Sequence, residues 1–334
     1  MEFGVFDHVD ATGRDLCSYY DERLRLTELY DALGYSRYHV AEHHATPLGL
    51  APSPSVYLAA VSQRTRRLRF GPMVYAVPLY HPLRLAEEIC MLDQMSGGRL
   101  ELGFGRGASP IEASFFGWQR ADMPEVYQEG TRIILEALEK GHLTHKGRHF
   151  SFDGAPLCLE PVQRPHPPLW YGVHAAESAG KAAARKLNMI SLDSAEETRA
   201  YVDAYREVWH RENPADVPQP LIGISYFIVI AEESAEALEV ARRSYPVWHA
   251  SFNSLFQRHG TAPRHQRPGD FDGIMREGRA IAGSPRQVKE FLAEACAVSG
   301  INYVVGQFAF GDQTYEETAR SVRLFAEFVM PGLK

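Results

Sequence analysis

The segment LDQMSGGRLELGFGRG, Leu92 to Gly107, contains the end of a helix, a strand and a cation in close succession. Gly97-Gly98 is predicted to end the helix, because glycine readily takes the left-handed backbone that caps a helix C-terminus. The alternation of apolar and polar residues from Leu100 to Gly105 predicts a strand, and Arg106 follows it directly. In a parallel α/β fold the carboxyl ends of the strands converge on one open face. We therefore expect the Arg106 guanidinium to lie at a site and to bind an anion.

Predicted strands and helices alternate along the whole chain, which favours a parallel sheet wrapped by helices. Helix start signals between the strands include Ser53-Pro54, Pro82 and Ser284-Pro285. Eight strands are predicted, over Glu2–Phe6, Ser36–Val40, Leu68–Met73, Leu100–Gly105, Leu169–Val173, Met189–Leu192, Leu221–Ala231 and Asn302–Gln307. We therefore predict an α/β fold, a (β/α)8 TIM barrel with insertions, as one domain over residues 1–334.

Two insertions are predicted in this barrel. The stretch HLTHKGRHFSF, residues 142–152, is typical of a hairpin turning at Lys146-Gly147, and its His145 and His149 are expected to be solvated. The stretch RHGTAPRHQRPGDFDG, residues 258–273, is polar and rich in Gly and Pro. We interpret the surrounding region, about 250–282, as a mobile loop over the open face of the barrel.

Composition limits the partners of the chain. A net charge of −7 argues against nucleic acid or an anionic membrane surface as the main partner. No apolar run approaches the roughly 20 residues that a membrane-spanning helix requires, and the first residues do not resemble a secretory leader. We expect a cytoplasmic protein whose ligand is a small molecule.

The sequence AEHH follows the second predicted strand and ends in His43 and His44. Adjacent residues on a strand point to opposite sides, so only one of the two imidazoles is expected to face a site. A metal hydrolase is the alternative from another class of enzyme. Because barrel hydrolases place two inward-facing histidines at His-x-His spacing, which this pair lacks, we predict no metal site.

Two further stretches are candidates for phosphate binding. The sequence HAAES after the fifth predicted strand, His174 to Ser178, enters a helix, where free backbone amides and the helix dipole attract an anion. Ordinary helix capping is the other interpretation. Glycines 103, 105 and 107 have GxGxG spacing, which does not match the dinucleotide-binding fingerprint. These glycines either let a neighbouring strand approach or clear space for a flat ring.

Several motifs in order resemble the bacterial luciferase-like family of flavin-dependent monooxygenases. The motifs are VAEHH (40–44), VPLYHP (77–82), LDQMSGGRLELGFGRG (92–107), GSPRQV (283–288) and LFAEFVMPGL (324–333). The resemblance implies a (β/α)8 barrel that binds FMN at the carboxyl ends of its strands. It also implies that reduced FMN reacts with dioxygen, through a C4a-(hydro)peroxyflavin, to oxidise a small organic substrate.

The same resemblance implies roles for individual residues. His43 matches the histidine that assists the oxygen chemistry, and Arg106 matches an arginine near the flavin phosphate. A non-proline cis peptide bond beneath the flavin ring would fall at Met73-Val74. Gly105 stands where luciferase α chains carry a reactive cysteine, which argues against light emission. Further phosphate contacts are implied after the fifth strand, at His174, Ala175, Ala176 and Ser178.

Partners and alternatives follow from the same comparison. No second nucleotide-binding fold is evident, so we expect a separate flavin reductase to supply reduced FMN, although some members of the family accept reduced nicotinamide directly. Members of the family often pair through their second and third helices, so the resemblance implies a homodimer. A deazaflavin-dependent dehydrogenase on the same barrel and a non-catalytic flavin-binding protein are the alternative functions. For the substrate pocket we predict aromatic walls from Phe6, Tyr75 and Trp170.

Overall fold

A computed structural model describes residues 1–107 and 109–333, and it contains twelve strands. They are β1 (Glu2–Asp7), β2 (Arg37–Val40), β3 (Arg69–Pro72), β4 (Tyr75–Ala76), β5 (Leu102–Gly105), β6 (His142–Lys146), β7 (Ser151–Pro156), β8 (Leu169–Val173), β9 (Asn188–Ser191), β10 (Ile222–Ile230), β11 (Ala280–Gly283) and β12 (Tyr303–Gln307). Nine parallel strands form a nearly closed barrel in the order β3-β2-β1-β12-β10-β9-β8-β5-β4. Phe70 and Leu100 pair across the gap between β3 and β5. Because β3 and β4 occupy successive parts of one position, the predicted eight-position barrel is confirmed.

Eleven α-helices are present in the described residues. They are α1 (Leu16–Leu33), α2 (Pro54–Arg64), α3 (Pro82–Ser96), α4 (Pro110–Phe115), α5 (Met123–Lys140), α6 (Ala176–Ala184), α7 (Ala195–Glu212), α8 (Ser234–Arg258), α9 (Phe271–Arg276), α10 (Pro285–Ser299) and α11 (Tyr315–Leu324), and short helical turns follow to Gly332. Seven of them, α1, α2, α3, α5, α6, α7 and α10, lie between successive strand positions, and α11 follows the last strand. No helix in the described part of the chain combines the length and apolar character that crossing a bilayer requires.

Local sequence signals set the helix ends, as predicted at Gly97 and Ser284 and in the same way at Thr314. Gly97 ends α3 with φ 65°, a left-handed conformation in which its N–H reaches back to carbonyls of the last turn. Ser284 and Thr314 begin α10 and α11 with reciprocal capping boxes, in which the cap hydroxyl and the third helical side chain each bond a backbone amide. These caps satisfy amides that the first turn of a helix leaves free.

The barrel interior is filled by apolar side chains in its lower half. Trp170 is buried among Phe6, Tyr303 and other inward-facing residues, and its indole N–H donates to Glu101 Oε2 at 2.5 Å. Glu101 Oε1 also accepts a hydrogen bond from Arg37 Nε at 3.0 Å, near the amino ends of the strands. The prediction that Trp170 lines a substrate pocket at the opposite, carboxyl end is therefore wrong.

The two insertions differ from their predicted extents. The hairpin formed by β6 and β7 continues to Pro156, and its His145 is not solvated, because Nε2 lies 3.0 Å from Glu129 Oε1 on α5. Most of the region predicted as a loop, 250–282, is regular structure: the end of α8, all of α9, and β11, which pairs in parallel with β10. The irregular parts are residues 259–270, between the two helices, and the short turn 277–279 before β11.

Candidate functional site

The carboxyl ends of the strands surround a group of adjoining cavities. His43 follows β2, Arg106 follows β5 and His174 follows β8, so three strand positions contribute to one mouth. The segment 259–270 also borders this mouth, where the His265 ring stacks on His174 with centroids 4.7 Å apart. The segment therefore lies at the carboxyl ends of the strands, and it is shorter than the region 250–282 that was interpreted as a loop.

His43 belongs to a hydrogen-bonded pair that the sequence analysis missed. Its Nδ1 lies 3.2 Å from Oε1 of Glu112, a mostly buried residue of α4. The other carboxylate oxygen accepts the backbone N–H of His44 at 2.9 Å. Glu112 thus fixes the chain and the imidazole together, in the arrangement that orients a histidine for proton transfer. The sequence signal that could have located Glu112 is Ser109, because a serine followed three positions later by glutamate is typical of a helix start.

His44 is turned away from the cavity. Its Nε2 lies 2.8 Å from Oε1 of Glu42, and the second oxygen of Glu42 accepts hydrogen bonds from the Ala76 amide and the Tyr80 hydroxyl. These contacts tie the end of β2 to β4 and the turn after it. Of the two adjacent histidines, His43 is therefore the one that lines the cavity.

A third histidine, His8, lies beside His43 and was also missed. The two imidazole rings are parallel within 17°, with centroids 6.0 Å apart. The Trp248 indole N–H reaches His8 Nδ1 at 3.4 Å. Burial, and then the nearby charges of His43 and Arg267, hold the pKa of His8 well below its ordinary value. A neutral His8 whose Nδ1 accepts a proton donor carries its own proton on Nε2, and can donate that hydrogen bond to a ligand.

A cavity of about 240 Å³ lies between the ends of β5 and β8 and includes Arg106 and His174 in its lining. The Met73–Val74 peptide bond beside it is cis, as the resemblance predicts. A Cβ at Gly105 would lie 2.3 Å from Cγ2 of Val74. Gly105 therefore admits the neighbouring strand, while the open space is at Gly172, where a Cβ would meet no atom within 4 Å.

An anion-binding geometry is present at one end of this cavity. Arg106 is exposed and forms no ion pair within residues 1–107 and 109–333. Across the cavity α6 begins after Ala175, which provides no side-chain cap, so the first amides of the helix, including that of Ser178, are free. The guanidinium and the helix N-terminus together suit a phosphate, and the cavity beside Gly172 has room for a flat ring. These residues fit the implied FMN.

Two predicted pocket residues have other positions. Tyr75 is fully buried in the main core, where its hydroxyl bonds Ser55 at 2.9 Å, so its prediction as a pocket wall is wrong. Phe6 lies in the barrel interior and packs edge-on against His8 with centroids 4.8 Å apart. Phe6 thus supports the floor of the mouth through His8. Among the described residues, no cluster of three or more His, Cys, Asp or Glu side chains is arranged to hold a metal ion.

Comparison with known proteins shows the family. The family model for luciferase-like monooxygenases matches residues 1–302. The uncharacterized protein y4wF of Sinorhizobium fredii is 38% identical over 312 residues, covering 93% of this chain and 91% of that protein. The oxygenase component of a flavin-dependent trigonelline monooxygenase of Acinetobacter baylyi is 25% identical, covering 77% and 72%. The chain belongs to the luciferase-like monooxygenases and is a flavin-dependent oxidoreductase of that family.

Solved structures share the fold over the full chain. Monooxygenase RslO1 of Streptomyces bottropensis matches with a TM-score of 0.88 at 26% identity, covering 100% of both chains. The oxygenating constituent of 3,6-diketocamphane monooxygenase of Pseudomonas putida, in complex with FMN, has a TM-score of 0.82 at 20% identity, covering 100% and 99%. A coenzyme F420 dependent tetrahydromethanopterin reductase of Methanopyrus kandleri has a TM-score of 0.73 at 18% identity, covering 100% and 99%.

Proposed function

We propose that the chain is an FMN-dependent monooxygenase that uses reduced flavin and dioxygen to oxidise a small organic substrate. The observation that carries this proposal is that two groups border one mouth. They are the Arg106 guanidinium, which forms no ion pair in the described chain, and the hydrogen-bonded pair of His43 and Glu112. The first suits the charged tail of a flavin mononucleotide, and the second suits proton transfer at its ring. Bound reduced FMN supplies the two electrons that activate dioxygen.

The residues that would hold FMN surround the cavity between β5 and β8. Arg106 and the free amides at the start of α6, from Ala175 to Ser178, would bind the phosphate. Met73, Val74 and Gly105 form the surface on which the ring would rest, and the opening at Gly172 admits it. His174, whose Nδ1 lies 3.2 Å from Asp193 Oδ2, would lie beside the phosphate.

His43 is proposed to move a proton at its Nε2 atom. Glu112 accepts from Nδ1, so the neutral imidazole presents an Nε2 lone pair that can take up a proton and return it. His8 remains neutral beside it and donates from its own Nε2. Apolar side chains at the wall, such as Leu48 and Phe256, exclude water from this proton transfer.

Replacing Glu112 with glutamine is expected to lower turnover about tenfold, the loss seen when a group that orients a functional imidazole is removed. Glutamine keeps the length of the side chain but loses the negative charge that stabilises protonated His43. Glu125→Gln, at an exposed position of α5, is the control. Unchanged turnover in Glu112→Gln would show that Glu112 is only a cap of α4.

We infer that the chain works with a separate reductase and as a homodimer. The relative that oxidises trigonelline is named as an oxygenase component, which supports a division of labour between flavin reduction and oxygenation. The exposed Val56 on α2 and Met91 and Met95 on α3 provide apolar contacts for a second copy.

The alternative function is a deazaflavin-dependent dehydrogenase, favoured by F420-dependent proteins with the same fold. The test is a titration of the protein with FMN, followed by reaction of the reduced complex with isotopically labelled dioxygen and a panel of aldehydes, ketones and aromatic acids. We expect FMN to bind and one labelled oxygen atom to appear in a product by mass spectrometry. Hydride transfer from reduced F420 without oxygen uptake would favour the dehydrogenase. FMN binding without any product would favour a non-catalytic flavin-binding protein.

A further inference from the structure

Arg267 lines the same cavity as His43. This arginine has no ion pair or side-chain hydrogen bond among residues 1–107 and 109–333. Burial lowers the pKa of its guanidinium below the ordinary value. A desolvated cation is costly unless an anion accompanies it, so this position is suited to a negatively charged ligand.

The backbone around Arg267 is held firmly against α8. The Arg267 carbonyl lies 3.1 Å from His249 Nε2, and the Pro268 carbonyl accepts the Tyr245 hydroxyl at 3.2 Å. Both partners are residues of one long helix that packs on the barrel. The guanidinium is therefore presented from an anchored position, which reduces the entropy lost when it binds a ligand.

Carboxylates near the cavity are already engaged. Glu112 bonds His43 and the His44 amide. Asp193 lies within 3.4 Å of the Arg279 guanidinium and 3.2 Å of His174 Nδ1. The protein as a whole has a net charge of −7, yet Arg267 and other arginines gather at this mouth, namely Arg106, Arg120 and Arg264. Such a local field attracts anions to the site.

The remaining walls of the cavity define the body of the ligand. Its volume is about 180 Å³, below the roughly 300–1,000 Å³ of a pocket for drug-sized molecules. Most of the lining is apolar, with Leu48, Leu192, Phe252, Leu255 and Phe256 around it. A compact hydrocarbon or a single aromatic ring fits this surface.

We propose that the substrate is a small organic acid, whose carboxylate is bound by Arg267 while its apolar body lies against the wall of α8 and extends toward His43. This inference rests on the proposed monooxygenase function and names the substrate class of that site. Arg106 and Arg267 then have separate tasks, the first toward the flavin phosphate and the second toward the substrate carboxylate.

The test uses matched pairs of acid and amide, which share a shape and differ in charge. Benzoate and benzamide, phenylacetate and phenylacetamide, and hexanoate and hexanamide are titrated calorimetrically into the full-length protein without flavin. We expect at least one acid to bind about tenfold or more tightly than its amide, the preference that a charge-assisted hydrogen bond provides. Arg267→Met should remove this preference, and Arg267→Lys should retain part of it. Arg258→Met, at the exposed end of α8, should leave it unchanged.

Two results would overturn the assignment. One is the absence of any preference for acid over amide in the wild type, or a preference that survives Arg267→Met. The other is a loss of FMN affinity in Arg267→Met as large as the loss of acid affinity, which would mean that the flavin phosphate is the anion. Because the acids are titrated without flavin, failure here is distinct from failure of the proposed flavin chemistry, which the separate FMN titration decides.

Discussion

Replacing His43 with alanine is expected to lower turnover about 100- to 10,000-fold, the range by which a positioned acid–base group accelerates a reaction. The expected cause is loss of proton transfer at the ring of the flavin, since His43 is the member of the adjacent pair that lines the cavity and bonds Glu112. The measurement is product formation under single-turnover conditions, with the substrate that the wild type oxidises and chemically reduced FMN. FMN affinity should change less than about threefold, because the proposed phosphate contacts are elsewhere.

The matched control is His142→Ala, which removes an exposed imidazole from the hairpin. It should react at the wild-type rate. His43→Asn is a second variant that keeps a hydrogen-bonding partner for Glu112 but cannot carry a proton. If His43→Asn reacted as fast as the wild type while His43→Ala did not, the imidazole would be a structural contact and the proposed proton transfer would be excluded.

Replacing Arg106 with methionine is expected to weaken FMN binding about 100-fold, because a charge-assisted bond to phosphate contributes about 1.5–3 kcal/mol. Methionine keeps an unbranched side chain of similar reach and removes only the charge and the hydrogen-bond donors. The affinity is measured by titrating FMN and following the quenching of its fluorescence. Added salt should narrow the difference, since the guanidinium is exposed.

Riboflavin provides the internal control for this variant, because it has the same ring without the phosphate. Wild type and Arg106→Met should bind riboflavin equally, so that the loss is confined to FMN. An equal loss for both flavins would place Arg106 against the ring. Unchanged FMN binding would mean that the start of α6 holds the phosphate alone.

The sequence was sufficient to predict the barrel and the edge at which the candidate site lies. Each predicted strand overlaps a strand of the barrel, because alternating apolar segments and helix caps such as Ser284 and Gly97 are local signals. Arg106 and His43 directly follow strands, and strand ends converge by topology alone. For this reason both residues could be placed at one mouth without coordinates.

The direction of individual strand side chains was not predictable. Barrel strands are buried on both faces, so their apolar pattern does not distinguish inside from outside. Tyr75 points into the core of the helix layer, toward Ser55, and Trp170 points into the lower half of the barrel, toward Glu101. Both are aromatic residues on strands, and only the register of the sheet determines where each one lies.

The region 250–282 was predicted to be a loop because the composition of its middle part is typical of loops. Residues 259–270 are rich in Gly and Pro. Because α8 contains Pro246, the sequence of α8 also did not indicate a helix that continues to Arg258. Ser109 marks Glu112 as a residue in the first turn of a helix, but the contact of Glu112 with His43 and the place of Arg267 in the cavity are tertiary and have no local sequence pattern. His8 was hidden for a related reason, since its partner Trp248 is distant in sequence.

The segment 259–270 begins at the end of α8 and ends at the start of α9, two helices whose apolar residues pack against β10 and β11. It supplies Arg264, His265 and Arg267 to the mouth. A library of variants confined to this short stretch would therefore sample new specificities without altering any strand of the scaffold. Relatives can diverge by the same route, because substitutions in these twelve residues alter the lining of the mouth and leave the strands of the barrel unchanged.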